Sequence, residues 1–170
     1  MDWILILSKC FWCGLAAVGF AVLFNVPPRT LFTIFICGAL GGALKFLLLQ
    51  SLINVVLASF AGALAVGISS IPVSHVRHAP PMVFAIPAVI PLIPGVFAYR
   101  TMLGLMKLTG AIGPDYNIII SETVNNGAKT LFIIMSLAIG VAVPMHLMRQ
   151  ESVKNIRFGK RKETGAVKGN

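Results

Sequence analysis

Carboxylates are scarce in this sequence: five Asp and Glu stand against fourteen Lys and Arg in 170 residues. No two of them are spaced for general acid–base work, no Ser-His-Asp pattern is present, and no glycine-rich loop is shaped to cradle a phosphate. Cysteine is equally thin. Cys10 and Cys13 have the CxxC spacing of thiol–disulfide exchange or of half a zinc site, but Cys37 is the one further cysteine, so no second CxxC completes a metal site. That pair lies well inside an apolar run, where a thiolate is poorly stabilised. It reads as small apolar filler, with a redox role as the alternative. His75 and His78 are spaced i, i+3 with no third ligand in view. Aromatic residues do not interleave with a basic face, which argues against nucleic acid as a partner. Neither an enzyme, nor a cofactor, nor a bound metal is expected.

The shortage of charge, 11% of residues against 57% hydrophobic with a mean hydropathy of +0.90, excludes a soluble domain. A chain this short cannot hide so much apolar side chain. Runs of roughly 20 apolar residues predict an all-α integral membrane protein, a bundle of about five transmembrane helices with four as the alternative. The expected spans are Trp3–Phe24, Thr30–Leu49, Leu52–Ser70, Met82–Ala98 and Thr130–Met148. Asn25–Arg29 (NVPPR) reads as a tight turn, and Ile71–Pro81 (IPVSHVRHAPP) as a polar, proline-bounded loop. Met1–Phe24 is expected to be a span and not a cleaved leader, because Asp2 replaces a basic first segment and no small-residue cleavage site follows.

Residues 1–149 form the expected transmembrane domain and 150–170 a basic, disordered tail, with six Lys and Arg against two acids. The positive-inside bias puts that tail in the cytoplasm and, with five crossings, the N-terminus outside. The partners expected at this level are the lipid bilayer, a small-molecule substrate and, as a further possibility, other copies of the chain.

The stretch FAIPAVIPLIPGVFAYR (Phe84–Arg100) sets Pro87, Pro91 and Pro94 inside an apolar run. Each proline removes an i→i−4 hydrogen bond, so the carbonyls of Val83, Pro87 and Ile90 are expected to lose partners. Ile86, Ile90 and Ile93, each before a proline, are pushed toward extended geometry. In lipid such backbone must face protein or a water-filled cavity. One reading is a single kinked helix. The other is a discontinuous helix ending at Pro94–Gly95, with a second half running from Val96 towards Leu108. Its N-terminal N–H groups would suit a carboxylate, its freed carbonyls would suit a cation, and Tyr99 and Arg100 would follow one turn later.

Other polar groups lie near the spans. Lys9 and Lys45 either snorkel to an interface or face the bundle interior, where a cation is a functional-site candidate. Asp115, Glu122, Asn126 and Lys129 share one face of a helix beginning after Gly113–Pro114. This is either a solvated lead into the last span or a polar stripe with Glu122 as a coupling carboxylate. Gly38 and Gly42, and the row Ser59, Ala63 and Gly67, are spaced for close helix packing.

VGFAVLFNVPPRTL (Val18–Leu31), followed by HAPPMVFAIPAVIPLIPGVFAYRTM (His78–Met102), resembles the threonine/serine exporter family. It is similar to the small-subunit half, which corresponds to the C-terminal half of the fused exporters. The resemblance spans roughly Met1–Arg149, and IPLIPGVFAYRTM is its most specific part. It implies a bacterial inner-membrane protein that exports small polar metabolites, threonine and serine in fused members and succinate in the split type. The split type implies a larger membrane subunit as partner. Some members carry a His and an Arg in the second span, where this chain has Gly42 and Lys45, so the resemblance does not transfer substrate choice. The expected function is the small subunit of a two-component secondary exporter. The expected substrate-binding residues are Pro87, Pro91, Pro94, Gly95, Tyr99, Arg100 and Lys45, with Glu122 and Asn126 as coupling groups. A structural or assembly subunit and a self-associating channel are the alternatives.

Overall fold

The computed structural model describes residues 3–77, 79–110 and 115–154. His78, Gly113–Pro114 and residues 155–170 of the expected tail lie outside them. Among the described residues the chain is all helix and turn: α1 (Trp3–Leu23), α2 (Leu31–Gln50), α3 (Val55–Arg77), α4 (Pro81–Val89), α5 (Gly95–Leu108) and α6 (Asp115–Lys154). Ile4–Leu23, Pro28–Gln50, Val55–Arg77 and Tyr116–Leu147 are each long and apolar enough to cross a membrane. A fifth crossing needs α4 and α5 together, as Pro81–Leu92 and Gly95–Leu108 bent by 55°, because neither half alone reaches the roughly 30 Å of a hydrocarbon core. This is a membrane protein, and the outward faces of its helices are apolar, as at Ile4, Leu23, Phe32 and Leu131.

Two tight turns end helices by the same device. Asn25 (φ 56°) and Leu52 (φ 58°) adopt the left-handed conformation just past α1 and α2. The following N–H groups, of Val26 and Ile53, reach back to the carbonyls of Ala21 and Leu48 at 3.0 and 3.4 Å, the pattern of a Schellman cap. Asn tolerates that conformation well. Leu does so at some cost, and here its side chain is almost wholly exposed.

The loop expected at Ile71–Pro81 is instead helical through Arg77, with Pro72 inside α3. Pro72 is exposed, so its ring points away from the packed face. Ser70 and Ser74 on either side donate to the carbonyls of Gly67 and Ile71, both at 2.7 Å. A proline so placed removes one bond and does not end the helix. The last helix also begins well before Thr130, so the polar face from Asp115 onwards is helical, as its spacing implied.

Small residues set the packing. A Cβ on Gly38 would stand 2.7 Å from Ala17 Cβ, and one on Gly42 2.9 Å from Cys13 Cβ, so α1 and α2 touch backbone to backbone. Cys10, Cys13 and Cys37 are free thiols, and Cys13 fills this seam. Gly41 and Gly62 meet between α2 and α3, where a Cβ on Gly62 would lie 2.8 Å from the Gly41 carbonyl oxygen. Gly67 and Ala63 take α6 at Gly140 and Pro144. α4 is wedged among these helices: Phe84 is buried with Ala17, Ala21 and Ile34, and Ala85 and Ala88 with Cys37 and Val66. α5 packs mainly on α6.

Gly38→Val should therefore lower thermal stability in detergent by about 1–3 kcal/mol, the usual cost of overpacking. Gly19→Ala, where a Cβ would meet nothing within 4 Å, should leave stability unchanged or raise it by up to ~1 kcal/mol.

Candidate functional site

The three prolines do not act alike. Pro87 is inside α4 and buried, and Ile86 before it stays helical. Pro91 opens a 3-10 turn, Ile90–Leu92, and Ile90 keeps helical angles (φ −56°, ψ −42°). The steric bias against helix before proline is outweighed here by the packing that holds Ala88 and Leu92 in the bundle interior. Of the three isoleucines only Ile93 is extended (φ −61°, ψ 137°), and it precedes Pro94, the N-cap of α5. The chain is thus broken at Ile93–Pro94, and the second half-helix begins at Gly95.

At that break the backbone groups are partly repaired locally. The Ile93 N–H donates to Ile90 O at 3.0 Å, so the Ile90 carbonyl is satisfied. The Gly95 N–H turns back to Ile93 O at 2.9 Å, and Ala98 N–H meets Pro94 O at 3.2 Å. Between them Val96 and Phe97 stand in the first turn of α5, where no intrahelical acceptor exists. In an unbroken helix Val96 N–H would bond to the Leu92 carbonyl. That carbonyl instead accepts a 2.6 Å hydrogen bond from the Lys45 ammonium, donated across from α2.

Lys45 is buried, with 9% of its surface exposed. Its stem lies along Gly62, whose Cβ, if present, would stand 3.2 Å from Lys45 Cβ and 2.9 Å from Leu92 Cδ2. Leu92 packs with Ala63, Ile133 and Leu137 from α3 and α6. The lysine therefore faces the bundle interior and caps the break, and of the two readings of its position the structure takes the second. The one described carboxylate side chain, Glu122, is exposed on α6. The cation thus faces a carbonyl dipole and no anion among the described residues, an arrangement that attracts a negative group.

The other expected residues fall in several places. Pro94 is buried, Pro91 half-buried and Gly95 open to its surroundings, with nothing within 4 Å of a built Cβ. Tyr99 and Arg100 are exposed on α5, away from the buried cluster. Asn126 is half-buried on α6. Lys129 sets its ammonium 5.8 Å from the centre of the Phe97 ring, beside the start of α5. Lys9 is exposed and lies 5.2 Å from the Phe46 ring centre. His75 is exposed at the end of α3, and no three His, Cys, Asp or Glu converge among the described residues.

Two participants escape the sequence. The Leu92 carbonyl is backbone, and only its position one turn before Val96 marks it. Ser59, legible as a packing residue, is wholly buried with its hydroxyl unpartnered.

A family model described as threonine/serine exporter, ThrE, matches residues 9–147. An uncharacterized protein of Haemophilus influenzae is 33% identical over 152 residues, covering 84% of this chain and 50% of its own length. The chain spans about half the length of that curated relative. No solved structure matches.

Lys45→Met keeps a flexible apolar stem and leaves the Leu92 carbonyl without its donor. A hydrogen bond to a charged group contributes about 1.5–3 kcal/mol. Amide hydrogen–deuterium exchange over Ile93–Phe97 should accordingly rise at least about tenfold in the variant, with α1 unaffected. Equal exchange in the two proteins would show that this bond does not hold the break.

Proposed function

Because the chain belongs to the threonine/serine exporter family, whose members are membrane transporters, we propose that it is the small membrane subunit of a two-component secondary exporter. Its substrate is a small carboxylate-bearing metabolite, of the class of threonine, serine or succinate. The chain matches about half of its relative's length, and a larger membrane subunit of the same family is proposed as the source of the other half. The orientation that fits the charge pattern puts the N-terminus outside and the C-terminus in the cytoplasm of a bacterial inner membrane.

The observation that carries the reading is the buried ammonium of Lys45 at the α4–α5 break. Discontinuous helices place open N–H groups and carbonyls at membrane depth, where transporters bind ions and polar solutes. The substrate carboxylate meets the Pro94–Gly95 terminus, Lys45 supplies the charge, and Pro87 and Pro91 hold the irregular backbone in place. Tyr99 and Arg100, exposed on α5, join the site from the side that the partner subunit covers. Glu122, also exposed, with Asn126 beside it, carries the coupling ion along α6.

Efflux from proteoliposomes loaded with threonine, serine or succinate tests this. Export is expected when the chain is reconstituted with the larger subunit and absent from the chain alone. Pro91→Ala, Pro94→Ala and Arg100→Ala should each abolish it while leaving membrane insertion intact. Unchanged export in all three variants would remove the break from the transport path.

A further inference from the structure

Buried hydroxyls in this bundle bond to their own helix. Ser70, Ser74 and Ser136 donate to carbonyls three residues back at 2.7–2.8 Å, and Thr123 to Ile119 O, four back, at 2.6 Å. Ser59 departs from that habit. It is 0% exposed, and its Oγ has no partner among the described residues. Across on α6, Ser136 gives its one proton to Ile133 O at 2.8 Å, with Val56 O, the carbonyl three residues before Ser59, a longer 3.4 Å away. A buried hydroxyl without a partner costs about 1–3 kcal/mol, so its retention calls for a ligand or a function.

Its neighbourhood names the chemistry. α2 and α3 run antiparallel from the tight turn after Gln50, and Gly41 and Lys45 both abut Gly62. That register carries Lys45 to the turn of α3 that begins at Ser59, one turn before Gly62 and on its side of the helix. Lys45 has three donors and gives one to the Leu92 carbonyl. The same turn of the bundle therefore holds a buried ammonium with unused donors, an unpartnered hydroxyl and no described carboxylate.

We propose that Lys45 and Ser59 together form a buried subsite for one carboxylate, and that the Leu92 carbonyl occupies the ammonium while the subsite is empty. An arriving carboxylate accepts from the Lys45 ammonium and from the Ser59 hydroxyl, and the ammonium leaves Leu92 O. That release frees the carbonyl at the break, so filling the subsite loosens the joint between α4 and α5. Lys45 thereby sets the preference for a carboxylate over a neutral amide of the same shape, because the amide offers no charge to draw the ammonium away, and Ser59 holds the carboxylate once it has entered. The assignment rests on the exporter reading above, and it specifies which atoms of this chain the substrate meets.

The test uses the chain with its larger subunit in lipid nanodiscs. L-threonine and succinate serve as carboxylate probes, and threoninamide and succinamide as neutral controls. Ser59→Ala is expected to weaken carboxylate binding about tenfold with the amides unchanged, and Ser59→Thr to restore it. Ser59→Ala should also raise the melting temperature of the ligand-free protein by a few degrees, since it deletes an unsatisfied hydroxyl; a merely structural serine would give the opposite. Lys45→Met should remove the carboxylate preference altogether. Wild-type binding with Ser59→Ala unaltered, or with acid and amide weakened alike, would overturn the subsite and leave the exporter reading standing. No binding or efflux of either carboxylate by the wild type would overturn both.

Discussion

One hydrogen bond organises the middle of this protein: the ammonium of Lys45 on α2 against the carbonyl of Leu92 at the end of the α4 segment. Each group alone would be costly in a membrane. A buried ammonium without a partner loses its hydration, and an orphaned carbonyl in hydrocarbon costs several kcal/mol. Joined, they offset one another. The helix can stay open at Ile93–Pro94 because a side chain from elsewhere takes the place of the missing Val96 N–H. A broken helix and a buried cation, each a liability, become a single polar joint.

That joint depends on close backbone packing. Lys45 reaches Leu92 only because Gly41 and Gly62 allow α2 and α3 to meet without side chains between them. The same economy of volume recurs where α1 meets α2 at Gly38 and Gly42, and where α3 meets α6 at Ala63 and Gly140. Without a hydrophobic force between helices in lipid, contact of this kind provides much of the attraction. The interior it builds is tight around α4, with Phe84, Pro87, Ala88 and Leu92 fully buried. α5, by contrast, has no fully buried side chain and leans mainly on α6. The half-helix carrying Tyr99 and Arg100 is the less anchored side of the break.

Much of this was legible in the sequence, and for identifiable reasons. Apolar length alone marks the long helices, and the start of the second half-helix follows from Pro94–Gly95, since proline cannot donate and its predecessor is steered to extended geometry. The same rules misplaced other features. Pro72 reads as a loop but is tolerated inside α3, because its outward ring and the neighbouring serines depend on which face is packed. Ile86 and Ile90 precede prolines and remain helical, since α4 is held on several sides by its neighbours. Lys45 lay between two readings, because its partner is a backbone atom 47 residues away that no composition reveals. Ser59 counted as a small residue. Whether its hydroxyl finds a carbonyl depends on how the packed helices orient it, which residue spacing does not reveal.

The separation between Lys45 and Leu92 also bears on how the chain enters the bilayer. When α2 leaves the ribosome, the carbonyl that will receive its ammonium has not been made. At 5–20 residues per second, 47 residues take roughly 2–10 s. For that interval the lysine must be accommodated another way. It lies little more than one turn from the end of α2, so its stem can extend to the headgroups. The tight turn at Leu52 joins α2 and α3, which pack against each other along their lengths. Capping Leu92 in the folded bundle is thus compatible with a lysine placed near enough to the end of α2 to reach the headgroups before α4 arrives.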